Sequence, residues 1–234
     1  MLITILYDNR AIDRRGEPDW GFAALIEIGR QKILFDTGGD PEVLAINLQK
    51  FKVDLKKIDA IVLSHQHWDH VNGLPVVLNP RQKVFLLKSF PQELKSLVVE
   101  HKAQLVEIDR SREIFKDVYT TGPLKGKVDE QALVFDLPQG VVLLAGCSHP
   151  WIVDMVKLVK DKFQKPVNLV LGGFHLYPFP LPEVKTAIKQ LKTLGIQKIA
   201  PCHCTGDKAM RLFEKEFGLN FLSVGVGSKI QLNA

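Results

Sequence analysis

A chain of 234 residues that is 46% hydrophobic can bury a full core, as one α/β domain or as two tightly fused halves. Its net charge of +5, from 31 basic and 26 acidic residues, is mild, with most lysines at helical spacing on outer faces. That argues against a nucleic-acid-binding stripe and for a solvated surface, with at most a weak preference for anionic partners. No apolar run approaches a membrane span, and Met1-Leu2-Ile3-Thr4 enters a strand pattern without a basic leader, so a cytoplasmic protein is expected.

Residues 3–7 alternate as a strand, and 8–19 form a polar loop containing Gly16 and Pro18. Residues 22–28 and 32–35 read as a hairpin around Gly29-Arg30, broken by Asp36-Thr37-Gly38-Gly39. Asp40 followed by Pro41 supplies an N-cap and a first-turn proline for a helix over 41–51. Asp36 is then not needed as the cap. A buried strand over 58–64 delivers Ser64-His65-Gln66-His67-Trp68-Asp69-His70, four metal-competent side chains within six residues. In an extended segment His65, His67 and Asp69 share one face, and the turn at Val71-Asn72-Gly73-Leu74-Pro75 lets His70 swing towards them. Two imidazoles at i and i+2 suit one transition metal, and the adjacent Asp-His pair suits a second. The competing reading, surface loop histidines, fails to explain why so many ligands crowd one strand end.

Strands follow at 84–87 and 105–108, with a helix at 91–102 that carries His101 as a solvated residue. The segment Val118-Tyr119-Thr120-Thr121-Gly122-Pro123 ends a strand at a turn. A second hairpin, 133–137 with 141–145, runs into Gly146-Cys147-Ser148-His149 and a helix over 151–163 with an apolar core stripe. The apolar run 167–171 reads as an interior strand ending at Gly172-Gly173-Phe174-His175, where the glycine pair would permit close approach of a substrate phosphate or carboxylate. Residues 176–182, with three prolines, are irregular and suit a lid, a pocket wall or a connector. A helix over 183–194, Pro201-Cys202-His203-Cys204-Thr205-Gly206, a helix over 207–217 and strands at 221–224 and 229–232 complete the chain, which is expected to form a single domain, 1–234. Six of the seven histidines stand where a strand gives way to a loop: His65, His67, His70, His149, His175 and His203. The three cysteines, Cys147, Cys202 and Cys204, are odd in number and sit beside these histidines, which argues against a disulfide framework. If residues 202–204 are extended, Cys202 and Cys204 point away from His203 and serve packing.

His65-x-His67-x-Asp69-His70 resembles the metal signature of the metallo-β-lactamase-fold superfamily. The ordered blocks Trp20-Gly21-Phe22-Ala23, Ile33-Leu34-Phe35-Asp36-Thr37-Gly38, Gly146-Cys147-Ser148-His149, Leu171-Gly172-Gly173-Phe174-His175 and Pro201-Cys202-His203-Cys204-Thr205-Gly206 extend the likeness to nearly the whole chain. They resemble a subgroup of metal-dependent hydrolases that includes dihydropterin-ribofuranosylaminobenzene-phosphate synthases. The resemblance implies an αββα sandwich of two mixed sheets with helices outside. It also implies a site for one or two ions, Zn²⁺ by preference and Mn²⁺ or Fe²⁺ compatibly. The usual third histidine of the first site is missing near residue 120, so His65, His67 and His149 are expected to hold one ion, and Asp69, His70 and His203 the other. The usual bridging Asp is also missing, which leaves Cys147 as a possible bridge. Asp36 is expected to steady a ligand from behind, Asp69 to orient a nucleophile as well as bind metal, and His175 to contact substrate or transfer a proton, with metal ligation as its alternative.

The implied activity is a metal-dependent hydrolase acting on a small phosphorylated or otherwise anionic ester, without nucleic-acid or membrane partners. A pterin-related synthase, an iron-dependent oxidoreductase and a non-catalytic metal-binding protein are the competing readings. His67 leans away from the oxidoreductase, because di-iron redox relatives carry an acidic residue there. The sequence leaves the oligomeric state open.

Overall fold

A computed structural model describes residues 1–233. It divides into two compact units, Met1–Asp109 with the chain end from Gly225, and Arg110–Val224.

In the first unit β1 (Leu2–Tyr7), β2 (Ala23–Ile28) and β3 (Gln31–Phe35) pair antiparallel, with Ile26 opposite both Ile3 and Ile33. Helix α1 (Pro41–Lys50) then carries the chain across to β4 (Ala60–Val62), which runs parallel to β3. Asp40 caps α1 through the backbone N–H groups of Glu42 and Val43, as its sequence suggests. Two single turns, α2 (Trp68–Val71) and α3 (Leu74–Val77), precede β5 (Lys83–Leu87), α4 (Gln92–Glu100) and β6 (Gln104–Ile108). β3 to β6 are parallel, and all three residues of β4 are buried, which is why this segment reads as an unbroken apolar run.

The second unit begins with β7 (Arg112–Phe115) and β8 (Val118–Thr120), an antiparallel pair. β9 (Leu133–Leu137) and β10 (Gly140–Ala145) form the expected hairpin. After α5 (Ile152–Phe163) come β11 (Val167–Gly173), α6 (Leu181–Thr193), β12 (Lys198–Cys202) and α7 (Asp207–Phe217), and the sheet order is β12-β11-β10-β9-β8-β7. The core packs the α5 stripe of Ile152, Val156 and Val159 with Leu143, Val170 and Phe213. β13 (Lys229–Gln231) returns to the first unit and pairs with β1, giving the order β13-β1-β2-β3-β4-β5-β6.

Three local expectations need correction. Residues 68–71 are helical rather than extended, so the alternation from His65 stops at His67 and Asp69 enters the site from a helical turn. β7 leaves no trace in the sequence, because Arg112-Glu113-Ile114-Phe115 lacks an apolar–polar alternation. The strand expected at 221–224 is reduced to one bridge, between Phe221 and Ile199. Within each sheet, the candidate residues follow the carboxyl ends of parallel strands: His65 to His70 after β4, His149 after β10, His175 after β11 and His203 after β12. Open α/β sheets place ligands at such ends, because the loops there are free of pairing duties.

Candidate metal centre

In the first unit the site is assembled around a fully buried carboxylate. Asp36 Oδ1 accepts the Ser64 backbone N–H at 2.7 Å, while Oδ2 accepts the Ser64 hydroxyl and Nδ1–H of His70, each at 2.7 Å. Burial pushes the Asp36 carboxyl up, against the opposing pull of His70 and of the Ser64 hydrogen bonds. These contacts fix tautomers in sequence. With Asp36 ionised, Ser64 spends its one proton on it, so the 2.9 Å contact between the Ser64 oxygen and His65 is Nδ1–H of the ring donating. His65 Nε2 is then an acceptor, 3.1 Å from His67 Nδ1. That spacing is close to the separation of two nitrogens each about 2.0–2.1 Å from one zinc ion, so a cation can take the place of the shared proton. The His65 and His70 rings stand 4.2 Å apart between centroids, and His70 Nε2 lies 3.9 Å from Asp69 Oδ2. Asp69 Oδ2 also accepts the Trp20 indole N–H at 2.8 Å. Thus His65, His67, Asp69 and His70 come together, with Asp36 behind His70.

The second unit repeats the device with a residue that the sequence reading missed. Glu130 is fully buried, and its Oε1 accepts the backbone N–H groups of Gly146, Cys147 and Ser148 at 3.1, 2.9 and 2.9 Å. Its Oε2 accepts the backbone N–H of His149 at 2.9 Å and the ring Nδ1–H at 3.0 Å. Burial opposes ionisation, but His149 and the ring of backbone donors outweigh it and hold the carboxylate below its ordinary range. One side chain therefore folds the whole Gly146-Cys147-Ser148-His149 loop.

The His149 and His175 rings are 4.6 Å apart. Residues 203–205 form a 3-10 turn rather than the extended segment assumed from sequence, and this carries Cys204 to within 3.2 Å of Cys147, sulfur to sulfur. Burial opposes ionisation of Cys204, yet the Cys147 contact and the neighbouring His203 and His175 rings hold its thiol well below the usual range. Cys147, Cys204 and His175 offer ligand atoms that all lie within 4.8 Å of one another. The Gly172-Gly173 pair admits close approach by other parts of the protein. A Cβ on Gly172, whose φ is +126°, would stand 2.0 Å from Ala145 O, and one on Gly173 would stand 2.6 Å from Cys204 Sγ. Residues after His175 wall a groove of about 490 Å³, lined by Tyr177, Phe179, Leu181 and Lys208 among others. Asp36, Ser148, His175 and His203 all adopt positive φ, between 46° and 62°. Non-glycine residues uncommonly hold that conformation, Asp and His more readily than Ser, and at these loops it sets the direction in which each side chain leaves the backbone.

Comparison with known proteins identifies the family and the fold. Residues 18–86 match the metallo-beta-lactamase superfamily. Across 92% of this chain and 91% of the relative, the sequence is 31% identical to a 7,8-dihydropterin-6-methyl-4-(beta-D-ribofuranosyl)-aminobenzene-5'-phosphate synthase of Methanocaldococcus jannaschii. A solved metal-dependent hydrolase of the β-lactamase superfamily matches over 100% of both chains, at 28% identity and a TM-score of 0.86. Human short-form tRNase Z, at 14% identity, 100% of both chains and a TM-score of 0.68, shares the fold alone. The chain belongs to the metallo-β-lactamase superfamily, with two mixed sheets and helices in that superfamily's fold. It is an enzyme of that superfamily, whose members typically bind metal ions, and its histidines and cysteines form candidate ligand groups. Among the described residues no helix is long and apolar enough to cross a membrane.

Proposed function

We propose that the chain is a metal-dependent hydrolase of small phosphorylated or otherwise anionic esters. The observation that carries this reading is the repeated pairing of a buried carboxylate with Nδ1 of a strand-end histidine, Asp36 with His70 and Glu130 with His149. Such a pairing fixes the tautomer and directs Nε2 to a metal, and it raises the basicity of the ligand. On this reading His65, His67 and His149 would hold one ion and Asp69, His70 and His203 the other, with the Cys147 thiolate available to both. The His-rich donor set favours zinc and accommodates manganese or iron. When bound, such ions lower the pKa of water towards neutrality and neutralise charge developing on a carbonyl or phosphoryl oxygen.

The residues of the chain prepare that chemistry. Asp36 and Ser64 hold His70 and His65 in their ligand tautomers. Trp20 donates to Asp69 Oδ2 and so restricts the carboxylate that would orient the attacking water and receive its proton. The mild positive charge of the chain favours an anionic substrate. Cytoplasmic placement, a small-molecule substrate and the absence of nucleic-acid or membrane partners belong to the same proposal.

The 31% identical synthase supports a second reading, in which the same centre joins a pterin to a ribofuranosylaminobenzene phosphate. The two are separated by assaying chelated and then zinc- or manganese-loaded protein on a chromogenic phosphodiester and on the synthase substrates. Hydrolysis that is lost together with bound metal in His67→Ala is the expected result. Condensation without ester hydrolysis would establish the synthase instead.

A further inference from the structure

We infer that Cys147, Cys204 and His175 form a thiolate–imidazole metal position, which rests on the metal reading above and adds Cys204 and His175 to the Cys147 thiolate named there. The two sulfurs stand 3.2 Å apart. That is too far for a disulfide, whose S–S length is about 2.03–2.05 Å. Two thiolates about 2.3 Å from one tetrahedral ion stand roughly 3.7–3.8 Å apart, so a small rotation of either side chain admits the ion. His175 Nδ1 is buried without a hydrogen-bond partner among the described residues, an arrangement that native interiors rarely tolerate. The His175 backbone N–H already points at Cys204 Sγ, at 3.3 Å, as backbone donors commonly do around metal-bound thiolates. A cation bound by all three side chains explains why two thiols and an imidazole are brought together.

The fold spends backbone freedom on this placement. His175 and His203 sit at φ values of 49° and 46°, and the 3-10 turn from His203 swings Cys204 inward. Gly173 leaves the space that Cys204 Sγ occupies. Cys202, only two residues from Cys204, is absent from the cluster and provides an internal control. This assignment takes His175 from proton transfer to metal binding. Two sulfurs and one imidazole suit thiophilic ions such as Zn²⁺, Fe²⁺ or Co²⁺, and disfavour Mn²⁺ and Mg²⁺.

The test is cobalt spectroscopy of the reduced, chelated full chain. Co²⁺ loading should produce near-ultraviolet thiolate-to-cobalt charge transfer beside the visible ligand-field bands. The charge-transfer intensity should fall to half or less in Cys147→Ser and in Cys204→Ser, and be retained in Cys202→Ser. His175→Ala should weaken cobalt binding at this position by about tenfold or more. Ligand-field bands without charge transfer in the wild type would overturn the sulfur site and leave the hydrolase reading standing, whereas no bound cobalt would overturn both. An unchanged charge-transfer band in either Cys147→Ser or Cys204→Ser would also overturn it. X-ray absorption of the zinc-loaded wild type needs no variant to fold: sulfur neighbours at about 2.3 Å are expected, and their absence contradicts the assignment.

Discussion

Glu130 carries more of the second unit's site than any residue of the loop it supports. It accepts four backbone N–H groups and one imidazole N–H from a buried position. Glu130→Ala strands those donors away from water and should cost about 3–5 kcal/mol in urea unfolding. Glu130→Gln keeps one carbonyl acceptor and should cost less. Asp36 offers a cleaner test of ligand orientation, because Asn tolerates its φ of 57° and can still accept a hydrogen bond. Asp36→Asn should lower metal affinity about 10–100-fold in chelator competition while the unfolding midpoint moves little by comparison. These two carboxylates also show what a sequence displays at this scale. The histidine motif is legible because its spacing is local, and Asp36 because it ends a strand just before a glycine pair. Glu130 lies 16 to 19 residues from the groups it binds and follows Asp129 in a polar stretch, so its role appears only when β9 and β10 are paired.

At the scale of elements, Tyr7 joins the end of β1 to the 8–19 loop and to the start of α1. Its hydroxyl donates to Asp19 Oδ2 at 2.6 Å and accepts the Asp40 backbone N–H at 2.8 Å. Burial, then the hydrogen bond to Asp19, raises its pKa well above the ordinary tyrosine value of about 10. The folded state therefore keeps a proton that the unfolded state gives up, and stability must fall as pH rises beyond that ordinary value. Tyr7→Phe should remove its share of this alkaline loss, measured as a shallower fall in urea midpoint with pH, although it starts less stable near neutrality. An unchanged slope would contradict the role assigned to Tyr7. The hairpins, α1, α5 and α7 were readable because caps, turns and periodicity agree locally. The turn at Trp68–Val71 was not, since a four-residue helix has too little sequence to show a period, and α2 is what moves Asp69 off the face shared by His65 and His67. Likewise the sequence makes Cys204 a packing residue only if 202–204 is extended, and the 3-10 turn there reverses its direction.

For the whole molecule, an αββα resemblance was visible in motif order, and the two mixed sheets with their helices match the superfamily's solved structures. Periodicity alone gave no more than an α/β class, because strand pairing across distant segments leaves no local trace. The proposed reaction depends on metal, so one titration addresses it most directly. Chelated protein should be inert towards a chromogenic phosphodiester and should regain turnover in proportion to Zn²⁺ or Mn²⁺ bound, saturating at one or two ions per chain. Full metal occupancy with no turnover of anionic esters, or turnover undiminished in the chelated protein, would contradict a metal-dependent hydrolase.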